Sequence, residues 1–122
     1  MDHFIQNNIN ANINKISKNF WEFQRNKANN VTLHKNTNKL PLARIKRMMK
    51  IEESIKMVSQ EVPYIFGIAA QVFIEEITIR AWIYTKESNR KIITADDVIK
   101  ALKNTSKYDF LYFLLIEDNQ KL

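Results

Sequence analysis

Four of the seven residues between positions 44 and 50 are cations: Arg44, Lys46, Arg47 and Lys50. Cations grouped in this way can neutralise phosphate groups and release their counterions. Residues 1–39 have a net charge of +4, residues 40–60 of +3 and residues 61–122 of −1. The skew predicts a polyanionic partner that one region contacts, although the same cluster also fits the solvated face of an amphipathic helix.

Two neighbouring carboxylates, Glu75-Glu76, are the nearest approach to a general acid–base pair. Successive residues on a helix diverge by about 100°, so the two side chains do not converge on one substrate. We expect both to be solvated or to act as charge partners of another subunit. Ser59 and Thr94 are predicted helix caps and have no neighbouring base, so neither is expected to be a nucleophile.

Metal and cofactor chemistry has little support in the chain. His3 and His34 lack a second His, Cys or Asp at ligand spacing, and Cys is absent. A single Gly also excludes a glycine-rich phosphate loop. We therefore expect no metal, no cofactor, no small-molecule substrate and no enzyme activity.

The low content of turn residues, Gly 1 and Pro 2, predicts an all-α protein. No apolar run approaches the roughly 20 residues that span a bilayer, so we expect no membrane segment. The longest predicted helix covers residues 60–87 and is apolar on too many sides for its short neighbours to cover. A second chain must cover the rest, which predicts an obligate dimer.

Shorter elements surround this helix and predict three regions. Residues 1–39 form an Asn-rich N-terminal region with one weak helix near residues 13–25 and a linker over 28–39. Residues 40–116 form the main domain, with further helices that begin at Leu40-Pro41 and cover 94–104 and 108–116. Residues 117–122 form a polar tail.

The order short helix, long helix, short helix is that of the histone fold, and three motifs point to one family. LPLARIKRMMK at residues 40–50, AAQVFIEEITIRAW at 69–82 and YDFL at 108–111 closely resemble the C subunit of nuclear factor Y, the CCAAT-binding factor. The Phe20-Trp21 pair matches an FW pair that precedes LPLARIK in that family. The resemblance implies a heterodimeric histone fold with an additional N-terminal helix and an additional C-terminal helix.

The resemblance also implies partners and roles. The chain would pair with a B-type histone-fold subunit, and an A-type subunit would dock on the dimer and read the CCAAT element in the nucleus. Double-stranded DNA would meet this chain through its phosphates, which position the duplex without base reading. The residues that match the family's backbone contacts are Arg44, Lys46, Arg47, Lys50, Arg90 and Lys91.

Three further sets of residues follow from the same resemblance. Arg90 and Asp97 match the pair that fastens the loop to the third helix of the histone fold. The predicted dimer interface comprises Ile65, Phe66, Ala69, Val72, Phe73, Ile77 and Trp82. The platform predicted to receive the third subunit is made of Tyr108, Phe110, Leu111, Phe113 and Leu114.

Two other functions remain open from the residues. One is a histone-fold accessory subunit of a chromatin remodeller, a replicative polymerase or a TATA-binding-protein repressor. The other is a structural dimerisation module with no DNA contact. The basic helix that begins at Leu40-Pro41 argues against this second function. IRAW at residues 79–82 and the FW pair favour the CCAAT-binding function.

Overall fold

The structure, a computed structural model, describes residues 3–30 and 40–120, with residues 30, 114 and 116–120 described by their backbone alone. The helices are α1 (His3–Asn30), α2 (Leu42–Met49), α3 (Glu61–Glu87), α4 (Ala95–Lys103) and α5 (Asp109–Gln120). A 3-10 turn at Ser106–Tyr108 leads into α5. The described residues contain no strand, so the predicted all-α class is confirmed.

The chain divides into two compact units. One unit comprises Met1–Asn26 and Glu76–Leu122, and the other comprises Lys27–Glu75. The helix α3 contributes residues to both units. The first unit contains the apolar core, and the second contains α2 and the loop that follows it.

The first helix is much longer than the weak helix predicted near residues 13–25, and it includes the first residues of the predicted linker. Ile9, Ile13 and Phe20 are buried at helical spacing, and the first two pack with residues of α3 and α4. The Asn residues at positions 7, 8, 10, 12, 14 and 19 are exposed. Burial of the apolar stripe outweighs the low helix propensity of Asn, which is why the prediction was too short. The remaining linker residues, 31–39, lie outside the described residues.

The two proline residues lie close to helix starts. Pro41 occupies the N-cap position of α2, and its carbonyl accepts a hydrogen bond from the Ile45 amide at 3.3 Å. Pro63 lies in the first turn of α3, where backbone N–H groups have no partner within the helix. The α3 helix starts one residue later than predicted, and the Ser59 carbonyl accepts a hydrogen bond from the Val62 amide.

The fourth helix begins with the predicted cap. The Thr94 hydroxyl accepts a hydrogen bond from the Asp97 amide, and the Asp97 carboxylate accepts one from the Thr94 amide. This reciprocal capping box satisfies two N–H groups that the helix leaves unpaired. The last helix continues to Gln120 and so includes residues that were predicted to form a polar tail.

The central helix leaves apolar side chains uncovered by the rest of the chain. None of the seven predicted dimer-interface residues is buried, and Ile65 and Phe66 are 59% and 55% exposed. By length and composition alone, α3 could cross a membrane. From the sequence we expect no membrane segment, because Glu75-Glu76 interrupts the apolar run. Two carboxylates in a helix of this length do not, however, make it polar overall. A helix buried in a protein core meets the same two criteria. The Glu76–Arg80 ion pair within α3 favours a protein environment over lipid.

We predict that the purified chain alone does not form a well-packed monomer, because α3 would expose its apolar side chains to water. Sedimentation should show self-association, and near-ultraviolet circular dichroism should show weak tertiary signals. Addition of a histone-fold partner should sharpen both measurements. A monodisperse monomer with a strong near-ultraviolet spectrum would contradict the dimer argument.

Candidate nucleic-acid interface

The basic residues of α2 form one exposed face. Arg44, Lys46, Arg47 and Lys50 are all exposed, whereas Leu42, Ile45 and Met49 on the opposite face are partly buried. Within residues 40–75 the structure shows no ion pair that neutralises these cations. Their charge is therefore available to a polyanion in the surrounding solvent.

The loop after α3 holds the second predicted basic pair, and its two members have different environments. Arg90 donates to both carboxylate oxygens of Asp97, at 2.7 and 3.0 Å, and to the Ile92 carbonyl at 3.1 Å. Lys91 is exposed beside Ile92, which is also exposed. The guanidinium of Arg90 thus fixes the loop to α4, and the geometry leaves Lys91 as the freer cation for a phosphate.

A left-handed residue turns the chain from α3 into this loop. Asn89 has a φ of 56°, a conformation that Asn tolerates better than most residues. The Asn89 amide donates to the Lys86 carbonyl and the Arg90 amide to the Thr85 carbonyl, at 2.9 and 3.1 Å. These two bonds form a Schellman motif, which ends the helix and directs the Arg90 side chain toward α4.

Asp97 is fully buried and is the centre of a hydrogen-bond network. Besides Arg90, its carboxylate accepts from the Thr85 hydroxyl at 2.7 Å and from the Thr94 amide at 3.0 Å. The hydrogen bonds from Arg90 lower the pKa of Asp97 well below its usual range, against the opposing effect of burial. The sequence motifs did not indicate Thr85, because it lies twelve residues before Asp97 and only the fold brings the two together.

A second carboxylate, that of Glu76, is buried, contrary to the prediction that Glu75 and Glu76 are both solvated or pair with another subunit. Glu75 is partly exposed and accepts a hydrogen bond from Gln71, but Glu76 is neither solvated nor free for another subunit. Its carboxylate accepts from the Arg80 Nε at 3.2 Å, from the Lys107 Nζ at 2.5 Å and from the Tyr108 hydroxyl. The 100° divergence along the helix turns one carboxylate inward and the other outward.

Burial alone would raise the pKa of the Glu76 carboxyl, but hydrogen bonds from Lys107, Tyr108 and Arg80 outweigh burial and lower it. Burial and the hydrogen bond to Glu76 raise the pKa of the Tyr108 hydroxyl. Glu76 is therefore ionised and Tyr108 is protonated near neutral pH. Within the described residues, every buried side-chain N and O atom has a hydrogen-bond partner.

The platform predicted for the third subunit divides into buried and exposed residues. Tyr108 is buried in this chain and hydrogen-bonded to Glu76, and its place on the platform stays a prediction. Phe110 and Phe113 are 62% and 71% exposed on α5, and Leu111 is partly buried. The side chain of Leu114 lies outside the described part of the chain. Among the predicted platform residues whose side chains the structure describes, the exposed ones are thus the rings of Phe110 and Phe113.

A match to one protein-family model covers α2, α3 and the loop described above. A family model described as histone-like transcription factor (CBF/NF-Y) and archaeal histone matches residues 38–102, which include α2, α3 and the Arg90–Asp97 loop. The chain is a member of this histone-fold family of transcription factors and histones, which is not an enzyme family. The predictions of a histone fold and of no enzyme activity are confirmed by this membership.

Curated relatives narrow the resemblance to one kind of subunit. The chain is 41% identical over 102 residues to the C-2 subunit of nuclear transcription factor Y from Arabidopsis thaliana, covering 84% of this chain and 51% of that protein. It is 39% identical over 103 residues to the gamma subunit of nuclear transcription factor Y from Homo sapiens, covering 84% of this chain and 22% of that protein. The chain therefore spans about half of the first relative and less of the second. The family predicted from the three sequence motifs is confirmed.

We predict that Asp97→Asn destabilises the protein by about 2 kcal/mol at neutral pH, because it removes the charge of a fully buried carboxylate that accepts hydrogen bonds from Arg90, Thr85 and Thr94. A carboxyl whose pKa is lowered on folding contributes stability above its unfolded-state pKa, about 3.9. That stability is lost as pH falls toward the lower folded-state pKa. Denaturant unfolding of the chain with its histone-fold partner at pH 7 and pH 3 measures both effects, and the variant should depend less on pH.

Asp96→Asn is the matched control for this experiment. Asp96 lies beside Asp97 but is exposed and pairs with Lys100 at 3.0 Å across one turn of helix. An exposed pair of this kind contributes at most about 0.5 kcal/mol. Equal destabilisation by the two substitutions would argue against a special role for the buried pair.

Proposed function

We propose that the chain is a histone-fold subunit of a heterotrimeric CCAAT-box-binding transcription factor. It dimerises with a B-type histone-fold subunit and contacts DNA backbone phosphates. The observation that carries the proposal is the exposed basic face of α2 in a chain of this family. The relatives named above, both subunits of nuclear transcription factor Y, favour this function over an accessory subunit of another histone-fold complex.

Dimerisation supplies the cover that α3 lacks. The partner's histone fold would bury the exposed residues around Ile65 and Phe66. Pairing would also bring the basic α2 helix together with the corresponding helix of the partner. Each buried CH₂ contributes roughly 0.8 kcal/mol to the free energy of association. Burial of the Ile65 and Phe66 side chains would therefore offset a substantial part of the entropy lost on association. The uncovered surface of α3 supports this proposal.

DNA would lie across the basic surface that the dimer presents. Arg44, Lys46, Arg47 and Lys50 provide phosphate contacts from α2, and Lys91 provides one from the loop after α3. Because phosphates are the same in every sequence, these contacts position the duplex and permit bending without base reading. Sequence reading belongs in this proposal to an A-type subunit that enters the minor groove.

The A-type subunit would dock on α5 through Phe110 and Phe113. Aromatic rings of this size are common anchors in protein interfaces, where their burial provides much of the binding energy. We also propose that the assembled complex works in the nucleus. The names of the relatives, each a nuclear transcription factor, support that location.

We predict that Arg44→Glu with Arg47→Glu weakens binding of the dimer to CCAAT and scrambled duplexes alike, by about tenfold or more. Loss of two phosphate contacts should also lower the slope of log K against log salt by roughly two. Fluorescence anisotropy at several salt concentrations measures both quantities. The control Lys18→Glu with Arg25→Glu makes the same charge change on the exposed surface of α1. An equal loss of affinity in the control would show that net charge, and not the face of α2, governs binding.

We predict that Phe110→Ala with Phe113→Ala lowers affinity for the A-type subunit by about a hundredfold but leaves the histone-fold dimer and its non-specific DNA binding intact. The cause is the loss of two apolar anchors from an exposed surface. Pull-down and calorimetry with the purified A-type subunit measure the effect. Phe23→Ala, which removes a ring that is also 62% exposed but lies on α1, is the matched control. Full retention of the trimer by the double variant would exclude α5 as the docking site.

A further inference from the structure

The buried Glu76 cluster joins three segments of the chain. Arg80, which pairs with Glu76 through its Nε, also donates through Nη1 to the Thr105 hydroxyl at 3.3 Å and through Nη2 to the Ser17 hydroxyl at 3.0 Å. One guanidinium therefore contacts α1, α3 and the segment between α4 and α5. Its planar set of five donors suits it to hold three partners in a fixed geometry.

Lys107 makes a second connection between the same segments. Its Nζ lies 5.1 Å from the centre of the Trp21 ring of α1 and 5.3 Å from that of the Tyr108 ring, while it pairs with Glu76. A cation over aromatic faces is stabilised by their quadrupoles, most strongly when it is partly desolvated. The charge of Lys107 is thus shared between the buried carboxylate and a ring that belongs to α1.

These contacts lie immediately before α5. Tyr108, whose hydroxyl is bound to Glu76, ends the 3-10 turn, and α5 begins at the next residue. A buried carboxylate requires its partners, since loss of one leaves charge uncompensated. The position of the first turn of α5 consequently depends on the cluster, and the cluster depends on α1.

We propose that α1 is a positioning element for α5, acting through Trp21, Lys107 and Glu76, so that its docking sets the arrangement of the surface that receives the A-type subunit. The identity of that partner rests on the function proposed above. The coupling itself rests on the contacts of the cluster. In this role α1 contributes to assembly although it lies before the segment that the family model matches, residues 38–102.

The test compares Trp21→Leu and Lys107→Met, alone and combined, in the complex of the chain with its histone-fold partner. Each single variant should lower affinity for the A-type subunit about tenfold. The double variant should lose little more than either single one, because both break the same connection. Trp21→Phe, which keeps an aromatic face, should restore most of the affinity. Fully additive losses would overturn the proposal.

Hydrogen exchange on the same complex provides a readout that does not need the A-type subunit. Amides of residues 109–120 should exchange about tenfold faster in Trp21→Leu and Lys107→Met, while those of α2 should be unchanged. Unaltered exchange in α5 would overturn the proposal even if affinity fell. If the unmodified dimer fails to bind the A-type subunit at all, the proposed function is wrong, and the exchange result still decides the role of α1.

Two controls remove the same kinds of side chain as the test variants. Lys100→Met removes a lysine whose side chain is 44% exposed, against 46% for Lys107, and which pairs with the exposed Asp96. Phe23→Leu removes an exposed ring from the same helix as Trp21. Both controls should retain the affinity and the exchange rates of the unmodified protein. An equal effect in either control would attribute the losses to general destabilisation and would overturn the coupling.

Discussion

The central helix imposes the main constraint on this protein, because α3 is long and apolar on more sides than one small chain can cover. In the first unit α1 and α4 bury Ala81, Ile83 and Tyr84, but Trp82, between them in sequence, remains partly exposed. In the other unit, the side chains around Ile65 and Phe66 are exposed. The helix α1 covers part of this excess of apolar surface, and the remainder is left exposed.

Buried charges complete the fold at both places where a loop must be held against a helix. The Asp97 carboxylate accepts hydrogen bonds from Arg90, Thr85 and the Thr94 amide, and it fixes the turn between α3 and α4. Glu76 receives Arg80, Lys107 and Tyr108, and it fixes the entry to α5. Each carboxylate is costly to bury alone, so each requires the full set of its donors and specifies one arrangement of the chain.

Local patterns predicted the helices well where propensity and packing agree. The α3 and α4 bounds differ from prediction by at most one residue at each end, since capping residues and apolar periodicity point to the same limits. The extent of α1 was missed because its stability comes from burial of Ile9 and Ile13 against distant residues, which no local pattern records. The basic face of α2 was readable from spacing alone, whereas the environments of Glu76 and Tyr108 depend on contacts more than thirty residues apart.

The exposed and the buried charges of this protein respond differently to ionic strength. Salt screens exposed charges over about 8 Å at physiological concentration, but it acts far less on buried pairs. The α2 cations are exposed, whereas the Asp97 and Glu76 carboxylates are buried. Under the proposed function, rising salt would therefore detach the protein from DNA well before it disturbs the folded chain. Release from DNA and loss of structure would then be separate events, and the dissociated protein would remain folded and able to bind again.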